Sequence, residues 1–244
     1  MADADPLWCV VPAAGRGTRF GAAAPKQYAP LAGRPLLVCT LERLAASVHV
    51  AGFVVVLAAD DRHWPGLVEV GGKPVRTATG ADERSASVLA GLRALPDAVG
   101  ADAFVLVHDA ARPCVPLADV ARLVERGAAA GGALLAAPLR DTLKRAGADG
   151  RVVATEPRDA RWRALTPQMF RRGELAAALE AAHAAGVAVT DEAMAIERTG
   201  RRPLLVEGDE CNIKVTVAAD LALAEHFAHL ERRAARGRRG DDPV

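Results

Sequence analysis

The chain has 244 residues, 51% hydrophobic and 25% charged, with a formal net charge of +1, a balance that builds a substantial core and excludes a disordered class and a general nucleic-acid surface. The longest uncharged, mostly apolar run, 127–139, is too short to span a bilayer and is broken by Gly131, Gly132 and Pro138, so no membrane partner is expected. One α/β domain is the default for this length, and the acidic residues 1–5, where a signal peptide would be basic, point to a cytoplasmic protein.

Leu7 to Val11 is a short, mostly apolar run, the pattern of a strand buried on both faces. The chain then turns small and basic. Pro12, Ala13, Ala14, Gly15 and Gly17 leave the backbone N–H groups of this turn open to an anion, and Arg16, Arg19 and Lys26 add positive charge. A polyphosphate matches bare backbone donors beside cationic side chains. Neither familiar phosphate loop fits: a dinucleotide fingerprint needs Gly where Phe20 stands and an acid near Cys39, and a Walker A loop needs Gly-Lys where the chain has Gly21-Ala22. A glycine-rich turn with no ligand is the alternative reading.

Apolar residues at helical spacing over 35–46, with Pro35 in the first turn, predict a helix, and Phe53 to Ala58 a second buried strand. Val75 to Ala78 reads as a third strand, leading through a loop at Gly80–Arg84 into an amphipathic helix that reaches Leu92. A fourth strand follows at 103–107, a helix at 117–127 and a fifth strand at 132–137. This alternation predicts a mostly parallel twisted sheet with helices on both faces. The rhythm breaks between Leu139 and Leu165, where 141–145 and 151–155 are strand-like and flank the turn residues 146–150; together they predict a protruding β-hairpin arm. Helices near 171–185 and after Glu192, a strand at 203–206 and a final helix from Ala218 complete the domain, which spans 7–230 with 139–165 as the arm. The Arg-rich segment 231–244 reads as a solvated tail.

In an open parallel sheet, ligands bind at the carboxyl ends of the strands, which selects the loops 12–26, 79–87, 108–116 and 138–144. Asp109 directly follows the strand at 103–107, where a rigid carboxylate facing a polyphosphate would suit Mg²⁺; a helix cap or an ion pair with Arg112 is the alternative. His108 reads as a packed, hydrogen-bonded strand-end residue. Lysine is scarce, with Lys26, Lys73, Lys144 and Lys214 the only ones among 31 basic residues, and a compact ammonium at a tight site is not replaceable by Arg. Lys214 either snorkels at the surface or completes a phosphate clamp. Cys9, Cys39, Cys114 and Cys211 are far apart and predict reduced thiols.

Pro12-Ala-Ala-Gly-x-Gly-x-Arg19 with Pro25-Lys-Gln-Tyr28, then Asp82-Glu-Arg-x-x-Ser-Val88, Val107-His-Asp-Ala-Ala-Arg-Pro113, Arg140-Asp-Thr142, Ala164-Leu-Thr-Pro-Gln168, Thr190-Asp-Glu-Ala193 and Asn212-Ile-Lys-Val-Thr216 occur in this order. Together they resemble the 2-C-methyl-D-erythritol 4-phosphate cytidylyltransferase family of the non-mevalonate isoprenoid pathway, over residues 8 to about 227. One departure is Gly80-Ala81 where the family has a glycine pair. The resemblance implies a single Rossmann-like nucleotidyltransferase domain, CTP and a polyol phosphate as substrates, and Mg²⁺, or another divalent cation, held by Asp109. It implies catalytic roles for Arg19 and Lys26, and for Arg158 and Lys214 acting on the sugar phosphate with Thr142 and Thr166. Ala13–Gly15, Asp82 and Ser87 would hold the nucleotide, while Pro12, Gly17, Gly80, Arg112, Thr190 and Asp191 join the substrate-binding set. A related cytidylyltransferase acting on ribitol 5-phosphate and a non-catalytic CTP-binding module are the rival readings. A lone hairpin is marginal in water, and Val152 and Val153 need burial, so a homodimer through the arm is expected, with Arg158 reaching the partner's site as the resemblance implies.

Overall fold

The structure, a computed structural model, describes residues 6–15 and 25–237, over 231–237 the backbone alone. In chain order its elements are β1 (Leu7–Pro12), a 3₁₀ turn at Lys26–Tyr28, a small ladder of β2 (Pro30–Leu31) with β3 (Arg34–Pro35), then α1 (Leu36–Ala45) and β4 (Val50–Leu57). Next come β5 (Glu69–Val70), β6 (Lys73–Thr79), α2 (Arg84–Arg93), β7 (Phe104–Val107), α3 (Leu117–Ala130) and β8 (Ala133–Pro138). The rest is β9 (Leu143–Ala146), β10 (Val152–Glu156), β11 (Trp162–Arg171), α4 (Arg172–Ala184), α5 (Glu192–Glu197), β12 (Leu204–Glu207) and α6 (Ala218–Gly237). Eight strands form one sheet in the order β12-β8-β11-β7-β1-β4-β6-β5.

The sheet is apolar on both faces because helices cover both. Cys9, Val11, Phe53 and Val55 pack with Leu37 and Leu41 of α1 and Leu123 of α3. Their immediate neighbours Val10, Val54 and Val56 point the other way, onto Val88 and Leu92 of α2 and Leu175 and Leu179 of α4. Period-2 alternation between two apolar faces is why these strands read as continuous hydrophobic runs. Gly91 lets α2 sit tightly on β1, since a Cβ there would come within 2.4 Å of Val10.

β11 departs from the sequence reading, which placed 139–165 in the arm and expected no strand at 162–171. It is a ten-residue interior strand of the sheet, antiparallel to both β7 and β8. Pro167 hid it, because proline inside a strand argues against a ladder unless the pairing is broken there. The pairing is broken: between Ala164↔Ala136 and Gln168↔Leu134 the register shifts. The expected arm narrows to β9 and β10, an antiparallel pair forming its own two-stranded sheet. α6 continues to Gly237, so the first residues of the expected solvated tail are helical, and 238–244 lie outside the described residues.

Candidate functional site

β1 lies between β4 and β7. After β1 the chain builds outward through β4 and β6 and then returns to pair β7 on the other side, so β1/β7 is a topological switch point, where an open α/β sheet leaves a crevice at its carboxyl edge. A cavity of about 170 Å³ lies there, lined by Pro12–Gly15, Lys26 and Gln27, by Ala81, Asp82, Arg84 and Ser87, by Asp109–Ala111, and by Lys214. Three of the four loops selected in the sequence therefore meet. The fourth, at 138–144, is not part of this lining and leads instead into the hairpin.

The wall near β1 is shaped by small residues and backbone bonds. The Gln27 amide donates to the Ala13 carbonyl (2.6 Å), which ties the returning chain to the end of β1. A Cβ on Gly80 would come within 2.6 Å of the Ala14 Cβ and 2.8 Å of Ser87 Oγ, so glycine is required for these loops to touch. Ser87 Oγ accepts from the Ala81 N–H and donates to the Ala81 carbonyl, both at 3.0 Å. Gly15, by contrast, would place a Cβ in open space among the described residues, leaving its backbone accessible to a ligand.

Asp109, 7% exposed, is the electrostatic centre. Its Oδ1 accepts from Arg84 Nε (3.0 Å) and Nη2 (2.9 Å), and its Oδ2 faces Lys214 Nζ (2.9 Å) and Arg112 Nε (3.4 Å). Burial alone would favour the neutral acid, but Arg84, then Lys214 and Arg112, hold the carboxyl ionised well below the usual carboxylate range. Arg84 in turn donates from Nη1 to Glu192 Oε1 (2.6 Å) and from Nη2 to Glu192 Oε2 (3.2 Å). Burial raises the Glu192 carboxyl despite that partner. Arg112 reaches the Asn212 carbonyl (2.7 Å), the Val215 N–H donates to Ala111 (2.8 Å), and Lys26 Nζ donates to the Val215 carbonyl (3.2 Å). These bonds clamp the 212–216 segment over the loop after β7.

Beneath Asp109, the irregular stretch of β11 supplies Thr166. Its Oγ1 accepts the Asp109 N–H (3.1 Å) and lies 3.1 Å from His108 Nδ1, while His108 Nε2 lies 3.0 Å from the Arg112 carbonyl. A carbonyl only accepts, so Nε2 carries the proton and Nδ1 accepts from the Thr166 hydroxyl. His108 is fully buried, and burial lowers its pKa to about 4, which keeps the ring neutral. The sequence expectation of a packed, hydrogen-bonded histidine holds.

The remaining predicted residues are dispersed. Thr142 is exposed at the start of the arm, and Arg158, also exposed, donates to the Arg140 carbonyl at its base. Thr190 is exposed. Asp191 caps α5 by accepting from the Met194 N–H (2.9 Å) and also accepts from Gln168 Nε2 (2.9 Å). Arg19 and Gly17 lie outside the described residues. The residues that sequence reasoning did not place in the site are Arg84, Glu192 and Gln27; the excess of a charged Arg and Glu in otherwise interpretable motifs was the available signal, but nothing in spacing alone pairs 84 with 192. Among the described residues there is no group of three or more His, Cys, Asp or Glu side chains able to hold a metal. With Glu192 committed to Arg84, the donor set fits a single-carboxylate ion completed by phosphate oxygens rather than a protein-caged one. No helix of the described residues is long and apolar enough to cross a membrane.

Residues 7–230 match the model of the 2-C-methyl-D-erythritol 4-phosphate cytidylyltransferase family. A protein of that name from Xanthomonas campestris pv. campestris (strain 8004) is 64% identical over 220 residues, 90% of this chain and 83% of the relative. Another, from Stenotrophomonas maltophilia (strain K279a), is 61% identical over 229 residues, 93% of this chain and 98% of the relative. The crystal structure of the Francisella tularensis 2-C-methyl-D-erythritol 4-phosphate cytidylyltransferase superposes with a TM-score of 0.78 at 30% identity, covering 91% of this chain and 100% of the other. Sheet, crevice and sequence agree, and the chain belongs to the 2-C-methyl-D-erythritol 4-phosphate cytidylyltransferase family.

Proposed function

We propose that this chain transfers the cytidylyl group of CTP to 2-C-methyl-D-erythritol 4-phosphate, a step of isoprenoid precursor synthesis. A phosphate oxygen of the acceptor bonds to the α-phosphorus, the α–β phosphoanhydride bond breaks, and pyrophosphate leaves with its electron pair. The observation that carries this reading is the cavity at the β1/β7 switch point, where the bare backbone of Ala13–Gly15 faces Lys26, Lys214 and Asp109. Such a reaction needs two anions aligned and the developing charge neutralised, with little covalent help.

Lys26 and Arg19 stabilise that charge in this reading. Ala13–Gly15 and the Gly80–Asp82 turn, which Ser87 closes, hold the nucleotide; Pro12 and Gly17 complete its loop. Thr142, Arg158 and Lys214 orient the sugar phosphate, Arg112 and Thr166 hold Asp109 for it, and Asp191 caps α5, from whose first residue Glu192 reaches Arg84. Asp109 would hold Mg²⁺, which when bound neutralises phosphate charge. The Asp109–Lys214 contact must loosen for that, and the 40% exposure of the Lys214 side chain leaves it room to turn toward a phosphate. Pyrophosphate release from CTP, measured in parallel with 2-C-methyl-D-erythritol 4-phosphate and ribitol 5-phosphate, tests the reading. Release with the second acceptor alone, or binding of CTP without release, overturns it.

The working unit is a homodimer through the arm. Val152 and Val153 are 64% and 58% exposed, and apolar side chains so placed on a two-stranded sheet call for a partner surface. In a two-fold pair each arm meets the same surface of its mate, and the family resemblance implies that Arg158 then reaches the other subunit's cavity. Co-refolding inactive Lys26→Ala with inactive Arg158→Ala chains should restore part of the activity; no recovery from verified heterodimers would mean that Arg158 serves its own subunit.

A further inference from the structure

The Arg84–Glu192 contact has a layout that a simple buried ion pair does not need. Arg84 is the first residue of α2 and Glu192 the first of α5, so two helices begin at the edge of the site and face each other across one guanidinium. Glu192, only 1% exposed, takes Nη1 and Nη2 on its two oxygens, while Nε and Nη2 both reach Asp109 Oδ1. Asp109 is thus gripped through one oxygen, and its other oxygen faces Lys214 and Arg112.

Arg84 also lines the cavity. A guanidinium there with a single carboxylate partner would be drawn to an incoming polyphosphate, since bidentate phosphate binding is among its strong interactions. The fork held by buried Glu192 keeps it on Asp109 instead. We propose that Arg84 and Glu192 form a positioning pair, in which Glu192 anchors Arg84 so that Arg84 fixes the orientation of Asp109 while the nucleotide phosphates are met by Lys26. This deepens the cytidylyl-transfer reading and rests on it.

A role in stability and a role in positioning are separable. Arg84→Met strands the buried Glu192 carboxylate, so the variant should lose both melting temperature and kcat. Adding Glu192→Gln removes the stranded charge at nearly constant shape. The double variant should regain most of the melting temperature but keep kcat about 10²-fold down, the scale of a misplaced reacting group, with KM for CTP within about threefold of wild type. Recovery of kcat together with melting temperature would overturn the proposal. Should Arg84→Met fail to fold, Arg84→Lys keeps the charge and loses the fork, and wild-type kcat in that variant is equally decisive against it. Wild-type protein that releases no pyrophosphate would sink the cytidylyl-transfer reading alone. For the pair itself, a crystal structure of the double variant reads independently of turnover: Asp109 should leave the rotamer seen here, and an unmoved carboxylate refutes the inference.

Discussion

Around Asp109 the interacting charges come from four separate segments, at 84, 109–112, 192 and 214, and most are withdrawn from solvent. In the hairpin arm the charged side chains find partners within the hairpin itself: Lys144 donates to Thr155 Oγ1 at 2.6 Å, Arg145 pairs with Glu156 at 2.8 Å and Arg151 with Asp149 at 3.7 Å, all exposed or nearly so. Exposed pairs of that kind contribute about 0–1 kcal/mol each, whereas removing one member of a buried pair costs about 3–5 kcal/mol. The site is therefore set in advance by the subunit's own fold, and the arm is left to be set by what it meets.

The sharpest way to break the contrast is Asp109→Asn. It should abolish pyrophosphate release, and it should also cost a few kcal/mol of stability in urea titrations, because Arg112 and Arg84 lose a common counter-ion. A variant with full activity would remove Asp109 from the mechanism. Lys26→Ala comes next, with kcat lower by about 10²-fold or more and little change in KM for CTP, as for loss of one transition-state donor. A pure KM effect would make Lys26 a binding residue only.

The arm predicts the opposite pattern. Val152→Asp combined with Val153→Asp should leave the secondary structure of the subunit intact, since these side chains are exposed, but should convert the proposed dimer to monomer by light scattering. An unchanged mass would place the dimer contact elsewhere or deny it. The smallest effect belongs to His108. Its folded pKa of about 4 lies below the unfolded value near 6.5, so between those values the unfolded chain binds more protons and stability falls as pH drops. Above about pH 6.5 the term vanishes. His108→Gln, which keeps a donor toward the Arg112 carbonyl, should flatten the melting-temperature profile across pH 4 to 6.5, and an unaltered profile would show that another group carries the acid sensitivity.

Legibility in the sequence tracked the range of the interaction. The buried strands, the small-residue turn at 12–15 and the hairpin signal at 146–150 are local patterns, and each stands where expected. The exit of Asp109 from β7 was legible for the same reason, because a carboxylate directly after a buried run has one place to go.

β11 was not legible, since its strand character depends on neighbours β7 and β8 and on a break in pairing that accommodates Pro167. What the sequence by itself determined is the set of chemical groups and the two-faced strands that bring loop ends to one edge, because period and polarity are written residue by residue. Only the tertiary structure decided which polar groups meet: Arg84 with Glu192 across 108 positions, Lys214 with Asp109, and Thr166 with His108. Such pairings are fixed by the packing of helices and strands far apart in the chain, and desolvation there, absent from any local pattern, sets how strongly each charge is felt.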